Sequence, residues 1–179
     1  MRDETWFAGI YDRHRSAVVR YGIRRLGDVD SAEELSQEVF VVAWRRRHDV
    51  PDQVLPWLYG VARRLLANNR RADRAAPQLV EIPATLHAPE DADARARVLD
   101  IRKALTELSA SDQEVLRLVG WEQLALAEVA VALGCTRVSA KVRLHRARRR
   151  LLAALGPDGA ERELSVDAVP APVPTLKEN

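Results

Sequence analysis

Residues 134–156 read GCTRVSAKVRLHRARRRLLAALG and hold seven basic residues and no acidic one. The whole chain sets 28 Lys and Arg against 26 Asp and Glu, so its basic charge is segregated here. The segment also carries a helical period. At about 100° per residue, Ala140, Leu144, Ala147, Leu151 and Leu155 share one narrow apolar face. Lys141, Val142, His145, Arg146 and Arg149 share the opposite one. A helix with a small apolar back and a basic front suits the DNA major groove.

The residues just upstream sharpen that reading. LALAEVAVAL (124–133) places Leu126, Val129, Ala130 and Leu133 at helical spacing. Gly134 is the residue type that most easily takes a left-handed cap. Thr136 can cap the next helix by accepting a backbone N–H. Helix, glycine turn and capped basic helix together predict a helix-turn-helix, with Cys135 as a small apolar residue at its corner.

Working outward, the rest of the chain is helical too. Phe7, Ile10, Tyr11, His14, Val18 and Tyr21 predict a first helix ending near Leu26-Gly27. Ser31 with Glu34 matches a capping box for a second helix through Leu35, Val39 and Ala43. A third begins near Pro56, which suits a first helical turn, and runs through Leu58, Val61 and Leu65. From Pro77 to Asp93 come three prolines and Glu81, Glu90, Asp91 and Asp93, with no basic residue, as expected of an extended linker. Helical period then resumes, and Ser111 with Glu114 matches a second capping box. After Gly156, four prolines predict a disordered tail. The expected architecture is all-α. A bundle over 1–76, a linker over 77–97, a helix-turn-helix domain over 98–156 and a tail over 157–179 divide the chain.

Composition limits the alternatives. The chain is 47% hydrophobic and 30% charged with a net charge of +2, which suits a soluble globular protein. No apolar run approaches the ~20 residues of a membrane span, and the N-terminus does not read as a signal peptide. No membrane partner and a cytoplasmic location are therefore expected. One cysteine and four scattered histidines give no metal-ligand spacing, so neither metal nor cofactor is expected. Ser16, Ser31 and Ser36 have no acid/base constellation around them, which argues against an enzyme acting on DNA. A dimeric helix-turn-helix repressor would explain the second half and leave the first without a purpose.

Four words of the sequence carry a family resemblance: SAEELSQEVFVVAW (31–44), PWLYGVARRLL (56–66), LALAEVAVALGC (124–135) and VRLHRARRRL (142–151). In this order, with an acidic linker between the pairs, the chain resembles the extracytoplasmic-function (ECF) group of bacterial RNA polymerase sigma factors. The resemblance runs from about Trp6 to Leu155. It implies a factor that binds core RNA polymerase, through the clamp coiled coil and the flap, and directs promoter recognition and opening. An anti-sigma protein is a further partner that it admits.

The resemblance also distributes roles. Glu33, Glu34, Leu35, Gln37 and Glu38, on the second helix, are expected to meet the polymerase. Arg46, Arg47, Trp57, Arg63, Arg64, Arg70 and Arg71 are expected along the opened −10 element, where cations track a backbone and aromatics stack bases. Arg64 stands where the family often has Asn, which removes one base contact and adds a charge. Lys141, Val142, His145 and Arg146 fall at the −35 contact positions, with Arg137, Arg148 and Arg149 placed for phosphates. Val138 stands where the family commonly has Gly, so no positive φ is expected there.

Overall fold

The computed structural model describes residues 2–72 and 92–164, with side chains over 2–69, 96 and 98–156. Seven helices and no strand occur among these residues. They are α1 (Glu4–Leu26), α2 (Val29–Arg45), α3 (Val54–Ala72), α4 (Ala92–Thr106), α5 (Ala110–Gly120), α6 (Leu126–Leu133) and α7 (Arg137–Leu164).

Local chemistry sets most boundaries. Asp3 accepts the Trp6 N–H at 3.0 Å to start α1. Gly27 ends it at φ 76°, returning its N–H to the Ile23 carbonyl at 2.8 Å. A left-handed residue at this place is nearly free for glycine and costly for others. The chain then leaves the turn extended, so Asp28 rather than Ser31 caps α2, accepting the Ser31 N–H at 2.7 Å. Hydrogen bonding from Ser31 holds the Asp28 carboxyl below its ordinary range. The second expected capping box shifts likewise. Ser109 accepts the Asp112 N–H at 3.2 Å and donates to its carboxylate at 2.9 Å, while Ser111 lies inside α5.

Two helix ends overrun the expected boundaries. α4 takes in residues 92–97, which composition placed in the linker, and α7 continues to Leu164 beyond a non-helical Gly156 at φ 74°. The linker acids Glu81, Glu90 and Asp91 lie outside the described residues.

α1, α2 and α3 enclose Val18, Tyr21, Val39, Ala43, Leu58 and Ala62, all buried. α5, α6 and α7 enclose Val115, Leu118, Val129, Ala140 and Ala147. The two cores are continuous, because α6 packs on α3. Gly60 permits this approach. A Cβ there would stand 2.9 Å from the Ala132 carbonyl oxygen.

Candidate nucleic-acid interface

The basic helix is presented by a tight corner. Gly134 adopts φ 63°, ψ 42°, and the Cys135 N–H returns to the Ala130 carbonyl at 3.0 Å. Thr136 Oγ1 then accepts the Ser139 N–H at 3.1 Å. Val138 is helical and 73% exposed, as its replacement of glycine implied. Ala140 and Ala147 are fully buried and Leu144 is half-buried, so small side chains bring the back of α7 close to its neighbours. Lys141, Val142, His145 and Arg146 are exposed on the front, flanked by exposed Arg137, Arg148 and Arg149. Arg150 does not belong to that front. It holds the Asp112 carboxylate at 2.6 Å and ties α7 to the start of α5.

A second basic surface surrounds the α2–α3 connection. Arg46 and Arg64 are exposed and Arg63 is half-buried. Partial burial, then the charges of Arg63 and Arg46, lower the proton affinity of Arg64. Three cations are thus gathered at one place, and among the described residues Arg46 alone of them is drawn to an acid, Asp49 at 3.3 Å. Arg47 is half-buried, lying 4.6 Å over the Trp44 ring and donating to the Trp44 carbonyl. Trp57 is half-buried and packs partly against the core. The Arg70 and Arg71 side chains lie outside the described residues.

On α2, Glu34, Gln37 and Glu38 are exposed, and Glu33 is half-buried with Arg15 at 2.6 Å. Leu35 departs from expectation. It is 4% exposed and belongs to the core, because it lies on the same helical face as Val39. Beside the exposed residues, an open groove of about 600 Å³ is lined by Phe7, Tyr11, Gln37, Phe40, Val41 and Trp44. Its floor is an aromatic cluster, with Tyr11 and Phe40 centroids 4.8 Å apart and Phe7 and Trp44 5.2 Å apart.

This arrangement of a three-helix bundle and a helix-turn-helix agrees with known families. The family model "Sigma-70 region 2" matches residues 10–76, and "Sigma-70, region 4" matches residues 99–151. The ECF RNA polymerase sigma factor SigL of Mycobacterium tuberculosis is 30% identical over 149 residues, covering 79% of this chain and 84% of that protein. The chain belongs to the ECF RNA polymerase sigma factors. A second relative, SigK of a Mycobacterium species, is 29% identical over 168 residues, covering 87% of this chain and 86% of its own length. Among solved structures, the sigma factor RpoE of Bartonella quintana, crystallised with the anti-sigma factor NepR, superposes with a TM-score of 0.62 at 24% identity. That match covers 85% of this chain and 98% of RpoE.

As an ECF sigma factor the protein is a transcription initiation factor, and its α1–α3 half is sigma region 2. The first half therefore has a purpose, which the repressor reading lacked. No helix among the described residues is long and apolar enough to cross a membrane.

The structure also brings forward residues that sequence reasoning passed over. Arg25 is 2% exposed yet charged, and it meets Glu114 and Glu122 of the other half. Its spacing four residues after Tyr21, on the buried face of α1, was the available signal. Gly60, in the middle of an otherwise strong helix, was another, since such a glycine usually marks a close approach.

Proposed function

We propose that this ECF sigma factor docks on core RNA polymerase through α2, using Glu34, Gln37, Glu38 and the adjoining aromatic groove, with Glu33 at its edge. Arg46, Arg47, Trp57, Arg63 and Arg64 then accompany the opened −10 element, joined in that role by Arg70 and Arg71. Lys141, Val142, His145 and Arg146 read the −35 element, while Arg137, Arg148 and Arg149 hold its phosphates. The protein acts in the cytoplasm, initiates transcription and leaves polymerisation chemistry to its partner.

The observation that carries this reading is the exposed front of α7. Its side chains project from a helix whose back is locked by fully buried Ala140 and Ala147. Lys141 and Arg146 can donate to guanine O6 and N7, and Val142 can pack on a thymine methyl. An anti-sigma protein belongs to the same proposal, since the fold neighbour from Bartonella quintana was solved with one. The decisive experiment is run-off transcription by the cognate core polymerase over a genomic library, with and without this protein. Promoter-dependent transcripts are expected only with it, and their absence would overturn the reading.

Two narrower outcomes follow. Gln37→Arg should weaken core-polymerase binding by about 2 kcal/mol, the scale of a hot-spot contact, with an unchanged melting temperature. Binding measured by fluorescence anisotropy checks the first part and a thermal melt the second. Arg149→Ala should weaken −35 binding almost equally across sequences and lower the salt slope by about one unit. A titration at several salt concentrations reads that slope directly.

A further inference from the structure

Beside the contact of α3 with α6 lies a cleft of about 350 Å³, with walls from α1, α3, α5, α6 and α7. Arg25, Arg63, Arg117 and Arg143 line it, and among the described residues the lining holds one carboxylate, Glu114. That carboxylate is neutralised from within. Arg25 donates to it through Nε at 3.1 Å and Nη2 at 3.2 Å, and the Tyr21 hydroxyl donates to it at 2.8 Å. Arg25 is matched further by Glu122, 2.8 Å from its Nη1. Arg63, Arg117 and Arg143 are left as a surplus of positive charge around the cleft.

Each of the three is held differently. Arg63 donates from Nη2 to the Leu133 carbonyl at 3.3 Å, while its buried Nε has no hydrogen-bond partner among the described residues. Arg117 lies over the Trp121 ring, 5.3 Å from its centroid. Arg143 is exposed and stands off the DNA-reading front, ~100° beyond Val142 around α7. A buried donor without a partner is costly, and like charges gathered in a cleft focus a field there. The start of α5 strengthens that field. Ala110 and Ser111 line the cleft from its first turn, where backbone N–H groups lack intrahelical acceptors and the helix dipole is positive. Asp112, the acid of that turn, is held by Arg150 at 2.6 Å and Ser109 at 2.9 Å. Leu66, Ala67 and Leu133 complete the lining with an apolar wall.

We propose that this cleft binds a small anion bearing linked phosphates, held by Arg63, Arg117, Arg143 and the start of α5. Planar guanidinium forks match phosphate oxygens in pairs, and a chain of phosphates can engage several forks at once. The volume falls at the lower end of the range for small-ligand sites, which suits a compact ligand. An inorganic phosphate chain would use the arginines alone, whereas a nucleotide would also lay its base on the apolar wall. Arg117 and Arg143 have no part in the proposed promoter contacts, so the site stands or falls separately from them.

Isothermal titration of the full chain with tripolyphosphate, at fixed ionic strength, should show saturable one-to-one binding. Arg143→Gln should weaken it about tenfold, the loss of one charge-assisted bond. Ser111→Asp sets a carboxylate against the ligand and should weaken binding at least as much. An acid in the first turn favours α5 itself, so weakening by this variant cannot be a loss of fold. Tripolyphosphate should also raise the melting temperature of the wild type and leave that of Ser111→Asp unchanged. Arg149→Ala, on the DNA-reading side, should keep wild-type affinity for tripolyphosphate. Parallel titrations with ATP and GTP distinguish the two ligand sources. Tighter binding of a nucleotide than of tripolyphosphate assigns the apolar wall to its base, and equal or weaker binding assigns the site to the phosphate chain alone. No saturable binding at millimolar tripolyphosphate, or binding that either cleft variant leaves intact, would overturn the site. Weakening by Arg149→Ala in place of the cleft variants would move the anion to the front of α7.

Discussion

Leu35→Glu is expected to unfold the α1–α3 half rather than merely erase a polymerase contact. Leu35 is 4% exposed and packs with Val39 and Phe40 in the region 2 core. Its replacement removes buried apolar area and puts an unpaired carboxyl in its place, where a charge must be neutralised or solvated. The combined cost should be on the order of 4 kcal/mol, at the upper end of single substitutions. Urea unfolding followed by circular dichroism gives the figure, and a lowered midpoint at unchanged slope would identify a stability effect. Gln37→Arg serves as the contrast, weakening polymerase binding with an unchanged midpoint. A Leu35→Glu protein with a wild-type midpoint but no polymerase affinity would return Leu35 to the docking surface.

Leu35 also shows how far the sequence could be read. Helical period alone placed Leu35 on α2 with Val39 and Ala43, which is its true face. The family resemblance pulled it toward the surface, and burial decides for the core. Periodicity worked best where faces were cleanly separated. The buried Ala140 and Ala147 and the exposed Lys141, Val142, His145 and Arg146 are all as the 134–156 stretch implied. Capping was less legible, because Ser31/Glu34 and Ser111/Glu114 both match a capping box by spacing. Asp28 and Ser109 won, since the chain enters each helix earlier than those pairs require. Glu114 shows why spacing misled, as its carboxylate is engaged by Arg25 and Tyr21, 89 and 93 residues away. A pairing at that separation leaves no local trace. The packing of α6 on α3 was hidden for the same reason, with Gly60 as its one visible mark. Sequence composition divided the chain into two domains, and it could not say that they would meet.

The paired substitution Lys141→Ala with Arg146→Ala should remove most −35 discrimination. Each residue is exposed on the front of α7, and each can donate in the major groove. Truncating one base-reading side chain typically costs about 1–3 kcal/mol and relaxes selectivity at its own position. Five residues apart, the two reach different base pairs, so their effects should add to roughly 2–6 kcal/mol unless they share a partner. Stability should be untouched, because the apolar back of Ala140, Leu144 and Ala147 is unchanged. The measurement is a base-substitution scan of the −35 element with each single variant and the pair. Base reading predicts that each single variant flattens the preference at a distinct position and that the pair flattens both. A uniform loss with every preference intact, like that expected of Arg149→Ala, would mean that this face grips only phosphates. Specificity at −35 would then have to come from DNA shape or from Val142 and His145, while region 2 would still carry the docking and −10 functions.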